Sequence, residues 1–138
     1  MIILDTNVIS ELMHVNPAPK VVAWLNSQNR ESVWITSLTV FEVTFGLELM
    51  TAGSKQVALR DSFVNLRRKL EDRIALFDEP AAEETAKLMA ARQKSGTPKD
   101  LRDTMIAGIV LSRNAGLATR NVAHFSDISA TILNPWAA

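Results

Sequence analysis

Apolar residues occur in short continuous runs, separated by longer stretches with helical spacing. Ile2-Ile3-Leu4 is the first run and reads as a strand buried on both faces. A helical stretch follows to about Met13 and breaks at Pro17 and Pro19, after which Val21, Val22 and Leu25 again fall at helical spacing. Val33-Trp34-Ile35-Thr36 predicts a second strand. Ser37 is placed to cap a helix over 38–50, closed by Ala52-Gly53-Ser54. Leu59, Phe63, Leu66 and Leu70 mark one face of the next helix. Residues 74–77 predict a third strand. Pro80 opens a helix whose Ala82, Ala86 and Met89 share a face and which Gly96 stops. Residues 100–115 predict a last helix ended by Gly116, and 117–119 and 131–133 predict two closing strands.

Short apolar strands joined by helices imply right-handed βαβ crossovers and a parallel sheet of about five strands, covered on both faces. The expected fold class is therefore a three-layer α/β/α arrangement. No repeat, linker or low-complexity segment interrupts it, and 138 residues suit a single domain over 1–138. With 47% hydrophobic and 22% charged residues the chain is globular rather than disordered. Fifteen basic and fifteen acidic residues cancel, so no global field attracts nucleic acid or a membrane. An anionic partner must then be held by a local patch or through a bound cation. The absence of cysteine excludes disulfides and thiolate metal sites. There is no basic leader and no apolar stretch of about 18 residues, which points to a soluble, cytoplasmic protein.

Ligands of open parallel sheets bind beyond the carboxyl ends of the strands, where strand order reverses. Polar residues stand at those ends: Asp5 after the first strand, Ser37 after the second, Thr119 and Asn121 after the fourth. Two more acids lie among apolar neighbours in helices, Glu42 in LTVFEVTFGLE and Asp103 in LRDTMIAGIV, and neither has a well-spaced basic partner on its own helix. Two carboxylates about 4 Å apart repel by roughly 4 kcal/mol at an effective dielectric near 20, a cost relieved by protonation or by a cation. An all-oxygen cluster without His or Cys suits the hard ions Mg²⁺ or Mn²⁺, which keep positions open for phosphate oxygens and activate water. Plainer roles compete with this. Asp5 can be only a strand-to-helix cap, Glu42 a solvated helix position, Asp103 an acid favoured by the helix dipole, and Thr-Arg-Asn at 119–121 a turn.

LDTNVIS, SLTVFEVTFGL, LRDTMIAGIV and ATRNVAHF, in that order, resemble the PIN domain. More closely the chain is similar to the VapC toxins of bacterial toxin–antitoxin pairs, including the FitB-like subgroup with its terminal Asn134-Pro135-Trp136. The resemblance spans essentially the whole chain. It implies a metal-dependent single-strand endoribonuclease that forms a homodimer and is silenced by a VapB- or FitA-like antitoxin. The substrate it implies is RNA, with tRNA as one candidate, and DNA would be met only through the antitoxin. Asp5, Glu42 and Asp103 match the family's acidic triad. Asn121 stands where many relatives have a fourth Asp, a departure that lowers the site's charge while keeping an oxygen donor.

The expected mechanism is hydrolysis of a phosphodiester by activated water. Asp5 and Asp103 would ligate Mg²⁺ or Mn²⁺, Glu42 would position the water or take its proton, and Asn121 would complete the site. Thr6 and Thr119 would orient carboxylates or waters. Lys94, Lys99 and Arg102 are the residues expected to meet RNA phosphates. His14 and His124 read as surface or loop residues, Asp78-Glu79 as helix capping, and Arg67, Arg68, Lys69 and Arg73 as a solvated face. A haloacid-dehalogenase-like phosphatase would need an acid two residues after Asp5, where Asn7 stands. The remaining rival is a PIN-fold module that grips RNA or protein without cutting.

Overall fold

The computed structural model describes residues 1–138. Five strands, β1 (Ile2–Leu4), β2 (Val33–Thr36), β3 (Ile74–Ala75), β4 (Gly116–Ala118) and β5 (Ile132–Leu133), form one sheet in the order β3-β2-β1-β4-β5. Every neighbouring pair is parallel. Six α-helices connect them: α1 (Thr6–Met13), α2 (Pro19–Asn26), α3 (Ser37–Leu49), α4 (Ser54–Lys69), α5 (Glu79–Lys94) and α6 (Leu101–Ser112). No helix is long and apolar enough to cross a membrane.

Strand side chains alternate between two cores, one on each face of the sheet. Leu4, Val33, Ile35 and Ala118 join Val8, Ile9, Val21, Val43, Phe63 and Leu66 from α1–α4. Ile3, Ala75 and Leu117 join Ala81, Ile106, Ile109 and Val110 from α5 and α6. This is the three-layer arrangement that the apolar runs predict. The chain leaves β1 toward β2 and β3, then returns to the other side of β1 for β4 and β5. Strand order therefore reverses between β1 and β4. Their register sets Leu4 opposite Ala118, which brings the next residues, Asp5 and Thr119, side by side.

Several element ends differ from the sequence expectation. The cap of α3 is Thr36, whose hydroxyl accepts the Thr39 N–H at 3.1 Å. Ser37 begins the helix, and its hydroxyl accepts the Phe77 N–H at 3.0 Å, linking α3 to the end of β3. The last helix ends at Ser112, and Asn114, not Gly116, takes the left-handed turn with φ 50°. Gly116 opens β4 because its N–H is needed to pair with the Met1 carbonyl at 2.9 Å. Arg73 is no solvated residue. It donates to the Val33 carbonyl at 3.0 Å and also reaches the Arg30 carbonyl.

Helices α5 and α6 meet at Gly108. A methyl group there would stand 1.8 Å from the Thr85 hydroxyl and 2.7 Å from the Ala81 carbonyl, so only glycine permits this approach. Near the same interface Arg92 is 2% exposed. Its guanidinium donates twice to Asp127, at 2.8 Å each, and also to the Thr104 hydroxyl at 2.9 Å and the His124 carbonyl at 3.2 Å. This buried guanidinium is thus paired and makes four hydrogen bonds, and it ties α5 to α6 and to the 3₁₀ turn Val122–Phe125.

Candidate functional site

Beyond the carboxyl ends of β1 and β4 lies an open cleft of about 420 Å³, lined among others by Asp5, Thr6, Asn7, Glu42, Asp103 and Asn121. Three distant segments of chain supply its acids. Asp5 reaches it because it both ends β1 and begins α1. As the cap of α1, its Oδ1 accepts the Thr6 N–H, the first of that helix, at 2.8 Å. Its Oδ2 accepts the Thr119 hydroxyl at 2.8 Å and the Asn7 amide at 3.3 Å. Capping and lining the cleft are therefore not alternatives for this residue. One oxygen does each.

Glu42 projects from α3, where Thr6 donates its hydroxyl to Oε1 at 3.0 Å. Asp103 stands in the first turn of α6, fixed by the Asp100 cap, which accepts its N–H at 3.2 Å. Asn121 follows β4 and turns toward the cleft, its N–H held by the Thr119 hydroxyl at 3.0 Å. The same hydroxyl receives the Asn7 amide at 3.3 Å, while the Asn7 carbonyl oxygen accepts the Arg120 N–H at 3.2 Å. Thr6 and Thr119 thus orient Glu42 and Asp5, each by a direct hydrogen bond.

Burial raises the Asp5 carboxyl from 3.8 to about 6, against the lowering effect of its Thr119 and Thr6 hydrogen bonds. The negative charges of Asp103 and Glu42 push it in the same direction. A carboxylate only 3% exposed that feels two others is a place where a cation lowers the energy. The donor set is made of carboxylate and amide oxygens, which fits a hard divalent ion. No three acidic or imidazole side chains converge closely enough to cage an ion unaided. An ion held here would keep several waters, as Mg²⁺ does.

Two contacts were not visible in the linear sequence. Glu42 has a basic neighbour after all, Arg102 from α6, at 3.8 Å. Arg102 also lies over the Phe41 ring at 5.7 Å. His124 is half exposed on its loop, yet its Nδ1 stands 3.1 Å from Asp103 Oδ2. Of the cations expected to meet phosphate, Lys94, Lys99 and Arg102 are exposed and line no part of the cleft. The arginine that does line it is Arg120, beside Trp136. Arg120 was not among the residues expected at the site, although it sits between Thr119 and Asn121, the two strand-end residues that were.

A groove of different character adjoins the cleft. Met13, Val43, Leu47, Met50 and Leu59 line it, and it shares Thr6, Ser10, His14 and Glu42 with the acidic cleft or its rim.

The PIN domain family model matches residues 2–130. A VapC ribonuclease of Sinorhizobium fredii is 35% identical over 137 residues, covering 99% of this chain and 98% of that one. The toxin FitB of Neisseria gonorrhoeae is 34% identical, with 99% of each chain covered. The crystal structure of FitAcB from Neisseria gonorrhoeae superposes with a TM-score of 0.90 at 33% identity, over the full length of both chains.

Proposed function

The chain belongs to the PIN-domain family, and on that premise we propose that it is the endoribonuclease toxin of a type II toxin–antitoxin pair. The observation that carries the proposal is the buried Asp5 carboxyl, sharing one cleft with Glu42 and Asp103 and raised in pKa partly by their charges. Asp5 and Asp103 would hold Mg²⁺ or Mn²⁺. When bound, such an ion neutralises phosphate charge and makes water more acidic. Glu42, held at 3.0 Å by the Thr6 hydroxyl, accepts the proton of the attacking water. Thr119 keeps Asp5 aimed into the cleft, and His124 does the same for Asp103. Asn121 supplies an amide that hydrogen-bonds the water or the phosphate.

Water attack leaves a 5′-phosphate and a 3′-hydroxyl, because the RNA 2′-hydroxyl is not the nucleophile. The test is cleavage of total RNA by wild type, Glu42→Gln and Asp103→Asn, with end-group analysis of the products. Both variants should lose at least a hundredfold in rate while melting as the wild type does. A 2′,3′-cyclic phosphate product sinks the mechanism. RNA binding without cutting, at any Mg²⁺ or Mn²⁺ concentration, establishes the binding-module alternative.

The partner proposed is an antitoxin whose apolar residues fill the Met13–Leu59 groove and whose basic side chain enters the acidic cleft. An Arg there pairs bidentately with a carboxylate and excludes the metal. Excess Mn²⁺ should then weaken antitoxin binding. An affinity unchanged by Mn²⁺ and by Glu42→Gln rejects competition. We also propose a homodimer, built on the exposed face of α3. There Phe41 and Phe45 stack at 6.1 Å while 53% and 46% exposed, and Leu49 is 71% exposed. Sedimentation of wild type and Phe45→Glu decides this.

A further inference from the structure

The acidic cleft contains one arginine, and that arginine is held by an aromatic ring. The Arg120 guanidinium lies over the Trp136 indole at 5.0 Å, and both residues line the cleft with Asp5, Glu42, Asp103 and Asn121. Trp136 is itself anchored. Its backbone N–H donates to the Asn134 side-chain oxygen at 3.0 Å, and the residue packs against the core beneath α1–α4. The backbone of Arg120 is fixed too, by the Asn7 side chain at 3.2 Å.

An arginine among carboxylates ordinarily pairs with one. Arg120 does not: none of the ion pairs within 4 Å includes it, although the cleft is lined by Asp5, Glu11, Glu42 and Asp103. Its guanidinium lies over the Trp136 ring, and no side-chain hydrogen bond or ion pair takes up its N–H donors. Those donors match the oxygens of a phosphate in a bidentate fork. The stack also restricts the side chain beforehand, so less freedom is lost when an anion binds. Four acids in the lining repel a polyanion, and the only other cationic candidate among the lining residues is His14. Among the lining residues a substrate phosphate therefore has one permanent positive charge to approach, since Arg102 is paired with Glu42 from outside the lining.

We propose that Arg120, set in place by Trp136, is the substrate-phosphate subsite of this cleft and takes a phosphodiester of single-stranded RNA next to the one that is cut. This rests on the nuclease reading and deepens it by naming where the RNA backbone is gripped. The site is distinct from Lys94, Lys99 and Arg102, which lie outside the cleft.

The test uses the full chain carrying Glu42→Gln, so that RNA binds without being consumed. Affinity for a fluorescein-labelled single-stranded RNA oligomer is measured from 50 to 300 mM NaCl, with Mg²⁺ present. Adding Arg120→Gln should weaken binding about tenfold and flatten the dependence of log affinity on log salt by about 0.7, the contribution of one phosphate contact on a single strand. Trp136→Leu should weaken binding by less, roughly threefold, and leave the salt slope unchanged, because the charge remains. Arg120→Lys should keep the slope and recover only part of the affinity. Arg120 is exposed, so its variants fold, which melting curves verify. Unchanged affinity and slope in Arg120→Gln overturn the proposal. Cutting of RNA by wild type alongside that result leaves the nuclease reading intact. If wild type neither cuts nor binds RNA, both fall together.

Discussion

Replacing Asp5 with Asn should stabilise the protein while abolishing its activity. Burial and the charges of Asp103 and Glu42 raise the Asp5 carboxyl from 3.8 to about 6, so its ionised form is penalised in the fold relative to the unfolded chain. Each pH unit of that difference is worth about 1.4 kcal/mol, which makes the penalty about 3 kcal/mol when fully developed. The folded state binds the extra proton, so stability falls as pH rises from about 4 to about 6 and the whole cost is present at pH 7.5. An Asn amide carries no charge. It does place an NH₂ where Oδ2 now accepts from Thr119 and Asn7, at 2.8 and 3.3 Å, which costs about 1 kcal/mol. The net gain expected at pH 7.5 without metal is about 1–2 kcal/mol, or about 5 °C in melting temperature for a domain of this size. At pH 4.0 the gain should vanish, because the wild-type carboxyl is then protonated in the fold. Millimolar Mg²⁺ should raise the wild type and leave Asp5→Asn where it was, since only a state that binds ligand gains stability from it. Urea unfolding at both pH values, with EDTA or Mg²⁺, measures all of this. An Asn variant no more stable than wild type at pH 7.5, or equally favoured at pH 4.0, refutes the reasoning.

The same substitution at two glycines should act with opposite sign. Gly108→Ala places a methyl 1.8 Å from the Thr85 hydroxyl and should cost about 1–3 kcal/mol, with Thr85→Ala restoring part of it. Gly46→Ala, in a helix with nothing within 4 Å of the new methyl, should gain about 0.4–1 kcal/mol in the same thermal unfolding assay. Asp127→Ala should cost about 2 kcal/mol by urea unfolding, less than the roughly 3–5 of a wholly buried pair, because Asp127 is 37% exposed. Hydrogen bonds from Arg92 hold the Asp127 carboxyl below its ordinary range. Its contribution is therefore complete above about pH 4 and lost as pH falls through the lowered value, so the variant and wild type should converge in acid.

The apolar runs were enough to predict five strands, six helical stretches and the parallel sheet, because each element buries a face that shows in its own residues. They failed where an end is decided by a contact far along the chain. Thr36 and Ser37 are equally able to cap a helix. The choice falls to Thr36 because the Ser37 hydroxyl is taken by Phe77, 40 residues away. Gly116 looks like a helix terminator, yet β1 needs it as a strand residue, and Asn114 tolerates the left-handed turn instead. The cleft shows the same division. Asp5, Glu42, Asp103 and Asn121 stand out as polar residues in apolar or strand-end settings. Arg120 and His124 do not, because their partners, Trp136 and Asp103, are neighbours only in space. Arg102 drew attention by lying beside Asp103 in sequence, and its contact is with Glu42 instead.

The strand order has a consequence for how the molecule comes into being. β1 is made first but sits at the centre of the sheet, and one of its edges stays unpaired until β4 exists. Asp5 and Thr119 are 114 residues apart, a distance that synthesis at 5–20 residues per second covers in about 6–23 s. Until Thr119 is made, Asp5 has no hydroxyl to aim its Oδ2, and until Asp103 is made the cleft lacks that acid. A message cut short before the codon for Gly116 therefore yields a chain whose central strand keeps one unpaired edge and whose Asp5 has no Thr119 beside it.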